Sequence, residues 1–227
     1  NGGNPSWPSH LGSFSGSSYA AAVGVYKRIN TLLYNEIPAT DIRKQWWVDK
    51  DLHSDLLNGL TWKEASGQDI PAYIITDVKV AYVPYTNVKF GMKSGIGSAT
   101  NDCDWCIMRT EEMMLIEAEG LAMSNQESQA KSKLETFVKT YRDPDYTCTA
   151  STKEALQNEI WKQRRIELWG EGFAMADIMR LNKPVVRFHG TDKGNWPDAF
   201  CFNVEAGDPY LLMRIPQKES NNNAGIV

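Results

Sequence analysis

Residues 156–181 read LQNEIWKQRRIELWGEGFAMADIMRL and keep helical periodicity for longer than any other stretch of the chain. At about 100° per residue, Ile160, Trp161, Leu168, Met175 and Ile178 fall on one broad face. Arg164 and Glu171 fall near the middle of that face, with Glu167 on its flank. A charge run on a helix is ordinarily a solvated face, and Lys162 and Gln163 fit that description. Charges set into an apolar face are different, because burying them is costly unless they are paired. The pattern predicts one long helix whose Arg164, Glu167 and Glu171 join a buried ion-pair network with a partner from elsewhere in the chain. Gly170 and Gly172 each cost a helix about 1 kcal/mol relative to Ala, so a kink or a close backbone approach is expected there.

The run RRIELWGEGFAMADIMR, residues 164–180, resembles the signature of the SusD/RagB family, R-R-x-E-L-x-x-E-G-x-R-x-x-D-L-x-R. Arg164, Arg165, Glu167, Leu168, Glu171, Gly172, Asp177 and Arg180 match it. Gln163 replaces an acid, Ala174 an arginine and Ile178 a leucine, and the Ala174 change removes one charge from the family's network. The resemblance implies a mainly α, irregular helical fold with a tetratricopeptide-like helix hairpin, long loops and at most a few short strands. It implies a glycan-binding lipoprotein on the outer membrane of Bacteroidetes, partnered with a SusC-like TonB-dependent transporter. The signature residues then support the fold and are not the sugar site.

At 227 residues and 42% hydrophobic content, the chain can bury a sizeable core. Its net charge of −4 argues against nucleic acid or an anionic membrane surface as the main partner. No run approaches the ~18 apolar residues of a membrane helix. The opening NGGNPSWPSH has no initiator Met, signal peptide or lipobox cysteine, so we expect a C-terminal portion; the family resemblance implies that its membrane contact is an N-terminal lipid anchor absent from this chain. The CxxC at Cys103 and Cys106 has no second CxxC, and His10, His53 and His189 are scattered, so neither a metal nor a cofactor is expected. With Cys148 and Cys201 they read as free thiols or an incidental disulfide.

Residues 1–104 read as a loop-rich central segment and 105–227 as a helical region, together one compact unit. Tyr19 to Tyr34 has helical spacing with Ser17 or Ser18 as a cap, and TDIRKQWW from Thr40 is a short helix presenting Ile42 and Trp46. Val78, Val80, Tyr82, Val88 and Phe90 alternate around Pro84, suggesting short edge strands or extended loop and not a large sheet, and 91–104 is a Gly- and Ser-rich connector. Beyond it, Met108, Leu115, Ile116, Ala118 and Ala122 form the buried face of a helix that also carries Glu112 and Glu119. Glu112 or Glu119 is expected to meet Arg164 or Arg165 across a helix contact, with Arg109 in the same cluster. After the polar turn SNQES, Ala130, Leu134, Phe137, Val138 and Tyr141 make a second stripe that ends at Arg142-Asp143-Pro144. The two helices resemble one tetratricopeptide-like unit, which needs neighbours to complete its core. Ser151 with Glu154 reads as a capping box for the long helix. Near the end, Ile215, Pro216, Glu219 and Asn223 resemble the family's terminal I-P-x-x-E-x-x-x-N-P motif, with Ala224 in place of the second proline.

Sugar binding needs aromatic faces for C–H-rich rings and polar side chains for hydroxyls. Several of the eight tryptophans lie outside the long helices, among them Trp7, Trp46, Trp47, Trp62 and Trp196. Trp47, Trp46, Trp62 and Trp7 are the carbohydrate-binding candidates. The pair Trp46-Trp47 leads, with Trp47 ranked first, because adjacent residues on a helix cannot share one face and at least one should be exposed or packed under a loop. A glycoside hydrolase would use a carboxylate pair such as Glu112 with Glu119 or Glu167 with Glu171. Each pair sits beside arginines, which keep carboxylates ionised and unfit as general acids. No nucleophile triad, HExxH, P-loop or GxGxxG pattern is present, so no catalysis is expected. The expected function is non-catalytic glycan binding for delivery to the transporter, with a helical docking module without glycan binding as the alternative and a hydrolase third.

Overall fold

The computed structural model describes residues 28–63, 66–71, 83–90, 104, 106–192, 194–212, 215–223 and 225. Trp7, the first part of the helix expected from Tyr19, the alternation through Tyr82 and Cys103 lie outside these residues. The structure is mainly helical, with two compact units, residues 1–171 and 172–227. The division expected near 104 falls beside residues outside the described set.

Three helices make the first unit's main core: α2 (Thr110–Met123), α3 (Glu127–Tyr141) and α4 (Lys153–Glu167). On α2, Leu115, Ala118, Glu119 and Ala122 recur at the spacing of one helical face and are buried. Met108 and Ile116, expected inside, are exposed; Met108 precedes the helix, and Ile116 turns outward with Met113 and Met123. On α3, Ala130, Leu134, Phe137 and Val138 are buried as the stripe predicts, whereas Tyr141 on the last turn is exposed. Asn125, at φ +59°, reverses the chain between α2 and α3. Leu156 and Ile160 of α4 close this cluster together with Cys148.

A second cluster forms around Ile29, Leu33, Tyr34, Ile37 and Trp47, and Ile166 of α4 belongs to it. One helix thus serves two cores, its first turns in one and its last turn in the other. Between them it carries buried Gln163, Arg164 and Glu167. Where described, the segment expected to run as a helix through Tyr34 is bridged to Thr86 at Arg28 and becomes helical only at α1 (Thr31–Asn35). Asn30 caps α1, its Oδ1 accepting from Leu32 N at 2.8 Å. The segment after Thr40 is a 3₁₀ turn, Ile42–Trp46, capped by Asp41. It buries Arg43, leaves Trp46 half-buried and exposes Ile42. Trp46 to Val48 then pairs with Tyr85 to Val88 through Val48 N→Thr86 O, Tyr85 N→Val48 O and Val88 N→Trp46 O bonds. β1 (Thr61–Lys63) and β2 (Asp69–Pro71) form a small antiparallel pair.

The expected single helix over 156–181 is two. Gly170 (φ +79°) and Gly172 (φ +91°) break it, and α5 (Phe173–Arg180) follows in the second unit. A β-carbon on Gly172 would meet nothing within 4 Å, so the left-handed backbone, not close approach, is what calls for glycine there. The N-cap of α4 is Thr152, whose Oγ1 accepts from Ala155 N at 3.2 Å, and not Ser151. Thr152→Ala is therefore expected to lower stability by about 1 kcal/mol in urea unfolding, while Ser151→Ala leaves the midpoint in place. The opposite ranking would restore Ser151 as the cap. A short α6 (Gln217–Asn222) ends the described chain.

Candidate functional site

The charged signature folds into a node at the carboxyl end of α4. Arg109 immediately precedes α2 and Arg142 immediately follows α3. Because the two helices run antiparallel, these arginines come from the same end of the hairpin. Glu167 Oε2 accepts from Arg142 Nε at 2.8 Å, and its Oε1 accepts from Arg142 Nη2 and Arg109 Nη1, each at 2.9 Å. Arg43 Nη1 reaches Oε2 at 3.4 Å, and its Nη2 donates to Asp41 Oδ2 and Gln163 Oε1, each at 2.6 Å. Glu171 takes two bonds from Arg109, at 2.8 and 2.9 Å, and one from Lys89. Glu111 accepts from Arg142 at 3.0 Å. Arg43, Lys89, Arg109 and Arg142 thus balance Asp41, Glu111, Glu167 and Glu171, leaving no net charge.

The cations also serve the backbone. Lys89 Nζ donates to Glu167 O at 2.7 Å and Trp169 O at 3.1 Å, and Arg109 Nη2 donates to Glu167 O at 2.7 Å. These carbonyls at the end of α4 have no onward helical partner, and positive charge there suits the helix dipole. Burial alone would raise the Glu167 carboxyl, but the bond and charge of Arg142, the charge of Arg43 and the bond from Arg109 outweigh it. The pKa falls to about 2. Burial pushes the Lys89 amine below the usual lysine range, and Glu171 offsets this only in part. Glu167 is ionised and fully enclosed, so it serves as neither a general acid nor an exposed base.

Of the expected network, Arg109, Glu167 and Glu171 meet in this node. Glu112 is half-buried and joins none of its pairs. Glu119 is buried and accepts from Gln157 Nε2 at 3.3 Å, and Arg164 is buried beside the node's helix end. Arg165 lies over the Trp161 ring at 5.2 Å, outside the node. Asp41, Arg43, Lys89, Glu111 and Arg142 of the node lie outside the expected network. Only Arg142 had a readable signal, a cation directly after a helix whose stripe ends at Asp143-Pro144.

Trp47, the leading sugar candidate, is 0% exposed and packs edge-on against Trp169 at 5.5 Å, so it offers no face to a ring. The reason is that Trp47 leaves the 3₁₀ turn in extended backbone and pairs with Asn87. Trp46 is half-buried, and Lys89 Nζ and Arg142 Cζ lie over its ring at 4.7 and 5.7 Å. Trp62 sits in β1 opposite Ile70. Among the described residues, no group of His, Cys, Asp and Glu is placed to hold a metal ion.

The second unit holds a different arrangement. Val185 and Val204 pair through two 2.9 Å bonds, and Asn203 extends that pairing. Its Oδ1 accepts from Arg187 N and Phe188 N, each at 2.9 Å, and its Nδ2 donates to Phe188 O at 3.0 Å. Arg187 lies over the Trp196 ring at 4.6 Å and the Phe202 ring at 5.1 Å, and its Nη1 donates to Phe200 O at 3.2 Å. Phe188, Phe200 and Phe202 are exposed around it, and Trp196 is half-buried. Trp196 stands out in the sequence, but its partners lie in loops that periodicity does not reach.

Residues 40–227 match the model of the SusD family. The chain belongs to the SusD family. Two solved structures share the SusD fold over nearly the whole chain. One, a SusD-like carbohydrate binding protein from Bacteroides vulgatus ATCC 8482, is 25% identical with a TM-score of 0.63, covering 94% of this chain and 43% of its own. The other, a SusD superfamily protein from Bacteroides thetaiotaomicron VPI-5482, is 22% identical with a TM-score of 0.60, covering 96% and 42%. The chain thus spans less than half the length of these SusD structures. No curated protein matches it in sequence.

Proposed function

We propose that the chain takes part in non-catalytic binding of oligo- or polysaccharide at the cell surface, for delivery to a SusC-like TonB-dependent outer-membrane transporter. Membership of the SusD family across residues 40–227 carries this reading. It is supported by the relative described as a carbohydrate binding protein and by the enclosed, arginine-bound carboxylates, which suit scaffolding and not hydrolysis. No described helix is long and apolar enough to cross a membrane; this reading places the chain at the outer membrane through a lipid anchor, as the family resemblance implies.

The test is affinity electrophoresis and titration calorimetry of the full chain against a polysaccharide panel, with reducing-sugar release measured alongside. Trp62→Ala, Trp46→Ala and Trp7→Ala are the informative variants. Trp47→Ala is not, because emptying a fully buried indole site costs about 3–5 kcal/mol and loss of binding would report unfolding. Binding without sugar release, weakened roughly tenfold by at least one of the three variants, is expected. Released sugar would revive the hydrolase reading, and no binding to any glycan would leave the docking module.

A further inference from the structure

Arg187 is set apart from the node's cations and from Arg180 by what surrounds it. The node's four cations each touch a carboxylate, and Arg180 in the second unit pairs with Asp177 at 2.8 Å. Arg187 has aromatic rings and one backbone oxygen instead, and among the described residues no carboxylate lies within ion-pair distance of it. Ring faces attract a guanidinium through their quadrupole but leave its charge in place. A guanidinium carries five donors, and the Phe200 carbonyl takes one bond from one of them. The Asn203 bonds to both Arg187 N and Phe188 fix the backbone that carries these side chains, so the arrangement is held before any ligand arrives.

We propose that Arg187, with Trp196, Phe202 and the flanking Phe188 and Phe200, forms a subsite for an acidic sugar residue, a uronate within a polysaccharide. A uronate matches both halves of the site. Its carboxylate suits the planar donor fork of an arginine, which binds such groups in paired, charge-assisted bonds. Its C–H-rich ring face suits the exposed aromatic rings beside that fork. A neutral sugar would use the rings and leave the charge unanswered. A nucleic acid would add phosphates along its length, which a chain of net charge −4 disfavours.

This inference rests on the glycan-binding reading, and the test separates the two. The probes are polygalacturonate, alginate and hyaluronan, each beside its carboxyl-reduced form, which keeps the backbone and removes the charge. The full chain is expected to bind at least one acid form at least about tenfold more tightly than its reduced counterpart, the factor a charge-assisted hydrogen bond carries. That preference should fall with added salt. Arg187→Gln is expected to abolish the preference while keeping whatever binding the reduced form shows. Phe188→Ala with Phe200→Ala, both exposed positions, is expected to weaken acid and reduced forms alike. Melting temperature is recorded for each variant, and Arg187→Lys, retaining charge without the fork, should keep only part of the preference. Binding of neutral polysaccharides alone would overturn the uronate subsite and leave the glycan reading standing. A preference that survives Arg187→Gln would also overturn it. No binding to any polysaccharide would overturn both.

Discussion

Glu167→Gln is expected to lower the unfolding free energy by about 3–5 kcal/mol, the loss seen when one partner of a buried ion pair is removed. Size and shape are almost unchanged, so no cavity contributes. What changes is charge and donor pattern. Arg142 loses a bidentate partner, and Arg109 and Arg43 each lose one contact. The new amide nitrogen would aim its own donors at guanidinium donors, whichever way the side chain is flipped. The node, balanced at four charges of each sign, would be left with one uncompensated positive charge around a fully buried position. Glu111→Gln is the comparison, because Glu111 touches two of these three arginines, Arg109 and Arg142, from a partly solvated position. Pairs of that kind are worth about 1 kcal/mol or less. In urea unfolding, the Glu167 variant should show a much lower midpoint at an unchanged slope, and the Glu111 variant a small shift. Equal and small effects would show that Glu167 does not anchor the node.

This node marks where sequence reasoning reached and where it stopped. Periodicity finds charge at Glu167 and Arg164 because both sit on a helix whose neighbours Ile160 and Ile166 are buried. It places Glu171 on the same helix for the wrong reason. The backbone turns into the left-handed region at Gly170, so the angular register has no meaning one residue later. Glu171 still arrives at the node, brought there by that turn. Arg109 is legible because it opens a helix, but Arg43 and Lys89 come from a 3₁₀ turn and a bridged loop, whose side-chain directions follow no period. Trp47 shows the same limit from the other side. The rule that adjacent residues diverge holds, since Trp46 is half-buried and Trp47 enclosed. A rule of divergence does not say which of two faces inward; the pairing of Trp47 with Asn87 decides that, and Asn87 is forty residues away in the chain. The fold was legible mainly through the family resemblance of residues 164–180 and the stripes of α2 and α3. The aromatic setting of Arg187 was not, because it is assembled by the Val185–Val204 bridge and the Asn203 bonds between loops, which follow no period.

The stability gap between the native chain and Glu167→Gln is expected to close as pH falls from 7 to 2. A carboxyl held at about 2 in the folded state, against about 4.3 in the unfolded chain, contributes about 3 kcal/mol at neutral pH. Between those values the unfolded chain binds a proton that the folded chain excludes. The contribution is therefore complete above about pH 5 and is lost as pH falls through 2. Other carboxylates titrate over the same range in both proteins, so their effects largely cancel in the difference. A protonated Glu167 carboxyl and the variant's amide present the arginines with nearly the same neutral group, and near pH 2 the two proteins should approach one another in stability. The mutation at neutral pH and the titration thus read one interaction by two routes, and both are expected to return about 3 kcal/mol. Urea midpoints for both proteins at half-unit pH steps would measure it. A gap that stays constant down to pH 2 would show that the arginines respond to the shape of the Glu167 side chain and not to its charge.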